Sequence, residues 1–295
     1  MTITNKLDLP DAIVKACSTE QHNRPNTVSA TTLLKGAKEI ILTRRHWDEL
    51  TDDVSDRIWA LFGTAVHSML EHETPDTFSE EYLSLKIGGY KLTGRIDCYD
   101  MKRGIVHDYK TASVWKIAMH DFDDWKKQGL IYTHLLRENG FPVTEVKFTA
   151  LLKDFSKSKA KFDASYPQSP VYVYSFKPTT HDMEWIDGFI KDKIAEIIFN
   201  ESLPDDEISE CTKAERWATD DKYAIMKKGN KKASKVCDSL EQAESYVSAN
   251  ADKDKLEIVK REAESKKCNE YCAVKNFCSF YKSLKEDRID PDNGN

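Results

Sequence analysis

No run among the 295 residues is apolar for long enough to cross a membrane. The first residues lack the charged-then-apolar pattern of a secretory leader, so a cytoplasmic protein with no membrane attachment is the expectation. Internal repeats and low-complexity tracts are missing too, which excludes repeat architectures. There is no excess of positive charge: the net charge is −6, and no global field pulls the chain onto nucleic acid. Any contact with DNA must come from local basic patches. The cysteines do not come in an even set; there are 7, with the three closest near the C-terminus. In a cytosolic chain that pattern favours metal or cluster ligation over disulfides. What is present is the composition of a soluble globular protein. Its length suits one large domain or a core with an appended module.

The chain is organised around Lys91 to Thr111. Apolar and polar residues alternate there, and Asp100 to Gly104 supplies turn chemistry, so two short strands are expected. Residues two apart share a strand face, which sets Asp108 beside Lys110 with Val106 behind them. Asp97 ends the first strand and would neighbour Asp108 if the strands pair. Two carboxylates and a lysine on one face are costly unless a cation neutralises them. A hard divalent ion such as Mg²⁺ or Mn²⁺ takes oxygen ligands and suits the cluster. Taken singly, the same aspartates could cap turns and Lys110 could be a solvated strand lysine, so the neighbours decide.

Residues 1–28 are polar without clear periodicity, a loosely attached arm. Ser29 is placed to cap a helix continuing towards Leu42. Asp56 to His72 is the clearest helix, with Ile58, Leu61, Phe62, Ala65, Val66, Met69 and Leu70 as one apolar stripe. Gly63, His67 and Glu71 form an i, i+4 line beside it. Gly63 costs about 1 kcal/mol against alanine, which suggests close approach to the backbone. Taken alone, His67 is more often a structural or surface histidine. Thr74-Pro75 ends the helix, Glu80 to Gly88 is a strand, and Gly88-Gly89 turns it into the Lys91 strand. A second helix spans Asp121 to Asn139 and carries Gln128 and Tyr132 on one face, an ordinary surface pair out of context. Val143 to Lys153 is a strand, followed by a basic loop with Lys153, Lys157, Lys159 and Lys161. Pro170 to Phe176 is a strand and Asp182 to Asn200 an amphipathic helix.

These elements make residues 29–204 the core. Residues 205–262 form a lysine-rich ββαβ module: a hairpin turning at Gly229-Asn230, a helix over Ser239 to Ala249, and a strand from Leu256 to Lys260. Residues 263–284 are a cysteine segment closing on the core, and 285–295 a disordered tail.

Four motifs occur in order: Gly63-x-x-x-His67, Gly94-Arg95-Ile96-Asp97, Asp108-Tyr109-Lys110 and Gln128-x-x-x-Tyr132. The set resembles the RecB-type branch of the PD-(D/E)XK nucleases, which includes the AddB nuclease and the CRISPR adaptation nucleases. Later segments look like a phage-encoded subgroup. The resemblance implies an α/β restriction-endonuclease-like core, a central mixed sheet flanked by helices. It also implies Asp97, Asp108, the Tyr109 carbonyl and His67 as ligands of Mg²⁺ or Mn²⁺. Lys110 would orient water and stabilise the phosphate, and Gln128 and Tyr132 would position substrate or the metal shell. Arg95 faces either away from this set or towards a phosphate. The expected product ends are 5′-phosphates.

In such relatives three C-terminal cysteines join a distant upstream one around a [4Fe–4S] cluster. Here Cys268, Cys272 and Cys278 fit that role, and Cys211 is the expected fourth ligand, with Cys237 and Cys17 as alternates. Cys237 and Cys98 suit the core better. Zn²⁺ accepts the same four thiolates, and unligated cysteines are the remaining reading.

A metal-dependent DNA nuclease, an exonuclease on single strands or free ends, is therefore the expected function, in replication, recombination or repair and with a helicase or recombinase as possible partner. The alternatives are a non-catalytic DNA-binding or helicase-accessory module of the same fold, and a purely structural iron–sulfur or zinc scaffold. DNA contacts are expected at Lys153, Lys157, Lys159 and Lys161, and at the hairpin lysines Lys227, Lys228, Lys231, Lys232 and Lys235. The alternative for each group is a solvated charged face.

Overall fold

The structure, a computed structural model, describes residues 1–18, 24–71, 82–230, 232–250 and 252–286. It divides into two compact units, Met1–Ile208 and Ser209–Asn295.

The first unit opens with β1 (Thr2–Thr4), α1 (Asp11–Cys17), β2 (Thr27–Ser29), α2 (Ala30–Leu33) and α3 (Ala37–Arg45). Then come β3 (Thr51–Asp53), α4 (Val54–Glu71), β4 (Tyr82–Ile87), β5 (Tyr90–Arg95), β6 (Cys98–Asp100) and β7 (Ile105–Ala112). It continues through α5 (Val114–Ala118), α6 (Asp123–Glu138), β8 (Glu145–Leu152), α7 (Lys157–Phe162), β9 (Val171–Phe176) and α8 (Thr180–Glu201).

Its main sheet runs β6-β7-β8-β9. β7 pairs parallel with β8, while β6 and β9 run antiparallel at the two edges. This is the mixed sheet flanked by helices expected of a restriction-endonuclease-like core. β8 shows why it forms: burial alternates residue by residue, and Val146, Phe148 and Ala150 are fully inside. Against them lies α6, with Leu130, Ile131 and Leu135 buried. The contact is close: a Cβ on Gly129 would come 2.9 Å from Val146 Cγ1 and 3.1 Å from Phe148 Cε2. α8 starts at a capping box between Thr179 and Asp182, and presents Ile186, Ile190, Ile194 and Ile197 to the same core.

Several expectations change. The strand through Lys91 to Asp100 is two strands, broken at Ile96-Asp97. β5 belongs to a second sheet, β2-β5-β4, and only β6 pairs with β7. The N-terminal residues carry structure: β1 pairs parallel with β3. Asp53 ties them down, accepting from Thr4 Oγ1 at 2.6 Å and from the Lys6 N–H at 3.0 Å. Arg57 donates to the Cys17 carbonyl at 2.6 Å. Ser29 does cap a helix, accepting from the Thr32 N–H at 3.1 Å. That helix stops at Leu33, and α3 starts afresh after Gly36. The apolar stripe of α4 is only partly inside, since Phe62 and Met69 are exposed. The basic loop holds α7, capped by Ser156, and α5 is a short helix that the spacing does not predict. Gly88 and Gly89 make the expected turn, both at positive φ. Thr74-Pro75 and residues 287–295 of the tail lie outside the described residues.

In the second unit β10 (Lys222–Lys227), β11 (Ala233–Cys237), α9 (Leu240–Ser248) and β12 (Leu256–Arg261) form the expected ββαβ arrangement, with sheet order β11-β10-β12. Ile225, Cys237, Ala243 and Leu256 make its core. Arg216 accepts the Lys267 N–H on its carbonyl at 3.1 Å. Its guanidinium lies 3.9 Å from the ring centre of Phe280 in α10 (Ser279–Glu286).

Candidate active site

β7 carries the centre of the site. The strand's period of two points Asp108 and Lys110 the same way, and Lys110 Nζ stands 2.6 Å from Asp108 Oδ1. The Asp108 side chain is 2% exposed. The ammonium lies off the direction of a hydrogen bond, and Oδ1 is buried with no hydrogen-bond partner. Lys110 Nζ also sits 5.6 Å from the ring centre of Phe148 on the neighbouring strand.

Asp97 reaches the site because the β6 ladder ends at Cys98, paired with His107. Counting on by one sets Asp97 opposite Asp108. Freed from the ladder, its carboxylate replaces a strand partner: Oδ2 accepts the Tyr109 N–H at 2.8 Å. The other oxygen, Oδ1, lies 3.2 Å from Nδ1 of His67 on α4. The His67 and Tyr109 rings meet edge to face at 6.5 Å. An added Cβ at Gly63, one turn before His67, would meet Thr111 Oγ1 at 3.5 Å, an ordinary contact. The close approach expected at that glycine is therefore not made by the described residues.

Gln128 and Tyr132 are inside, not a surface pair. Gln128 Nε2 donates to the Tyr132 hydroxyl at 2.8 Å, and both side chains are buried.

The protonation behaviour reflects this packing. Burial pushes Asp108 up to about 6 against the pull of Lys110, and Asp97 adds to the rise. The hydrogen bond to Asp97 raises His67 in spite of burial, with Asp97 and Asp108 both contributing through their charge. Burial raises Tyr132, and the charge of Asp108 adds to it. His67, Asp97, Asp108, Lys110 and Tyr132 thus share one electrostatic neighbourhood.

Among the described residues no three His, Cys, Asp or Glu side chains already converge as a metal cage. His67 is engaged with Asp97, and Asp108 with Lys110. The donor chemistry still suits a hard divalent ion: Asp97, Asp108 and His67 offer two carboxylates and an imidazole, and Oδ1 of Asp108 is buried with no hydrogen-bond partner.

The cysteine segment is partly assembled. The Cys268 thiol is pushed up by burial and then by the neighbouring Cys211 and Cys278. The charges of Cys211 and Cys278 are felt at Cys268, but among the described residues no three of these thiols are gathered closely enough to hold an ion. Cys272 is half-buried. Cys17, Cys98 and Cys237 are buried as small apolar residues.

Lys153 stands at the end of β8 with Nζ 4.1 Å from the ring centre of Trp59 on α4, an aromatic partner that sequence spacing could not reveal. Lys157, Lys159 and Lys161 are exposed on α7; Lys227, Lys228, Lys232 and Lys235 are exposed on the hairpin. Lys231 lies outside the described residues.

A model of the PD-(D/E)XK nuclease superfamily matches residues 20–279. No curated protein matches the chain. Among solved structures, SSO0001 is 18% identical over 62% of this chain and 83% of its own, with a TM-score of 0.44. An alkaline exonuclease, LHK-Exo, from Laribacter hongkongensis is 10% identical over 61% of this chain and 91% of its own, with a TM-score of 0.38. A phage related exonuclease from Haemophilus somnus 129PT is 10% identical over 56% and 74%, with a TM-score of 0.30. Likenesses this low describe partial similarity of shape and nothing of chemistry.

Proposed function

Since the chain belongs to the PD-(D/E)XK nuclease superfamily, we propose that it is a divalent-metal-dependent deoxyribonuclease, an exonuclease acting on free or single-stranded DNA ends. The observation that carries this reading is the pairing of Lys110 with the buried Asp108 at 2.6 Å, beside an Asp97 held by His67 and Tyr109. Asp97, Asp108, the Tyr109 carbonyl and His67 would hold Mg²⁺ or Mn²⁺. Such an ion acidifies water and offsets the charge that develops on phosphate.

The chain's own residues do the rest. Lys110 projects an ammonium from the face that carries Asp108, placed to orient the attacking water and to donate to a non-bridging phosphate oxygen. Pre-placed positive charge in a partly dry site is worth more than the same charge in water. As the water oxygen bonds to phosphorus, the bond from phosphorus to the 3′ oxygen breaks, leaving a 5′-phosphate and a 3′-hydroxyl. Gln128 and Tyr132 form a fixed polar pair behind Asp108 that holds the site's shape. Exposed Lys153, Lys157 and Lys159 in the first unit and, separately, Lys228 and Lys232 in the second are proposed phosphate contacts. The RecB-type assignment rests on the order of the four motifs, and with it a helicase or recombinase partner; a phage origin rests on the later segments.

Labelled DNA incubated with purified protein and Mg²⁺ or Mn²⁺ should be degraded, and Asp108→Ala or Lys110→Ala should abolish this. Full activity in both variants, or DNA binding with no cleavage in any divalent metal, would overturn the reading.

For the second unit we propose a [4Fe–4S] cluster, or Zn²⁺, on Cys211, Cys268, Cys272 and Cys278, supported by the close spacing of the last three in sequence. Visible absorption and metal content of anaerobically purified protein distinguish the two. Metal-free protein that folds normally would rule out both.

A further inference from the structure

β9 closes one side of the main sheet. It pairs antiparallel with β8 from Val171 to Phe176, and among the described residues no strand pairs with its far side. In an antiparallel strand alternate residues turn their N–H and C=O groups away from the neighbour. Half of the backbone groups of β9 therefore face outward along an open edge. Such an edge is a template for another strand, and proteins blunt it with charge or keep it short.

The other sheet edges of this chain follow that rule. Of the described edge strands, β1, β2, β3 and β6 have three residues each. β4 carries Lys86, β11 carries Lys235, and β12 carries Glu257, Lys260 and Arg261. β9 alone combines six residues with no charged side chain, in the sequence VYVYSF. On one face Val171 and Val173 are 41% and 55% exposed. On the other, Tyr172 and Tyr174 are stacked, their ring centres 5.6 and 4.6 Å from that of Phe122. The edge is thus apolar on one face, aromatic on the other, and held in place by packing.

We propose that β9 is the contact of a homodimer: it pairs antiparallel with β9 of a second copy, so that two four-stranded sheets become one. The strand suits itself as a partner. A two-fold axis through Val173 sets Val171 opposite Ser175 and Tyr172 opposite Tyr174. An axis through Tyr174 sets Val173 opposite Ser175 and Tyr172 opposite Phe176. Either register keeps the small and branched residues on one face and the rings on the other, and neither opposes like charges. A foreign peptide could add to the same edge, but an edge with no charge gives little by which to select one. Each copy uses up the open edge of the other, so the assembly closes at two. The catalytic side chains take no part in the contact.

The test uses the full-length protein without DNA or added metal. Sedimentation equilibrium follows its mass from micromolar to near-millimolar concentration, and hydrogen exchange is measured at both ends of that range. A reversible monomer–dimer equilibrium is expected, with the amides of Val171 to Phe176 exchanging more slowly at the high concentration. Val173→Lys places a charge on the exposed edge and should weaken association by about tenfold or more. Its thermal midpoint at low concentration should match that of the unaltered protein. Val173→Thr, branched and uncharged, should keep the association. A chain that stays monomeric throughout, a trimer, or a dimer whose β9 exchange ignores concentration would overturn the proposal. So would a folded Val173→Lys variant that associates as well as the unaltered chain. Should that variant fail to fold, the β9 amides of the unaltered protein still decide.

Discussion

His67 on α4 and Asp97 at the break between β5 and β6 meet at 3.2 Å, with the second oxygen of Asp97 accepting the Tyr109 N–H at 2.8 Å. One carboxylate is thereby fixed from a helix and from a strand at once. A carboxylate held on both oxygens keeps its orientation whether or not a cation is bound; in the proposed site His67 would orient Asp97 as well as bind the ion, and loss of the orienting contact alone affects metal sites about 10–100-fold.

His67→Ala should therefore lower cleavage by about 10–100-fold with little change in the thermal midpoint, because the histidine is only half-buried. Steady-state cleavage across a Mn²⁺ titration checks this. Unchanged activity at limiting Mn²⁺ would show that Asp97 does not need its partner.

Asp108→Asn should separate activity from stability. Cleavage should fall by about 10²–10³-fold, the scale of losing one pre-placed electrostatic group. The midpoint of unfolding in EDTA at pH 8 should hold or rise. Burial drives the carboxyl up to about 6, so the native state at pH 8 carries a charge that its surroundings disfavour, and asparagine removes it. A midpoint several degrees lower would mean that the pair with Lys110 stabilises the fold.

Tyr132→Phe removes the acceptor of the Gln128 amide inside a buried pair. The unsatisfied amide should cost about 1–3 kcal/mol of stability, measured by urea denaturation. Adding Gln128→Leu should cost less than the sum of the two single changes, since both partners are then apolar. Additive losses would show that the two side chains do not act as a unit.

Away from the site, His46 stands between two carboxylates, with Nδ1 2.6 Å from Glu49 and Nε2 2.6 Å from Asp205. Burial presses its pKa down, but the bonds to Asp205 and Glu49 outweigh that and raise it. A raised pKa in the folded state gives stability that is fully present below the unfolded value of 6.5. That stability is lost as pH rises through the folded value. The thermal midpoint should thus decline between pH 6 and pH 8.5 more in the unaltered protein than in His46→Asn. Parallel profiles would contradict this.

Much of this was legible because it is periodic. The helices around His67 and Gln128, the strands around Asp108 and Phe148, and the ββαβ module each announce themselves by spacing. The proposed catalytic set could be assembled from four short motifs in order. Other features depend on contacts between distant residues, which no local pattern records. The N-terminal arm gains its order from Asp53, far along the chain. The break at Ile96-Asp97 becomes visible only once β5 and β6 enter different sheets. The helix from Ser29 ends early because Gly36 restarts it, and the stripe on α4 is apolar without being fully covered.

Gly129 faces the sheet with less room than a methyl group needs, while its chain neighbour Gln128 and, one turn on, Tyr132 carry the polar pair behind Asp108. The clearance of α6 above β8 is thereby a mechanical datum for the proposed reaction centre. Any larger residue at 129 would jack the helix upward and carry both polar groups with it. A position that meets neither substrate nor metal is in this way held to account by turnover.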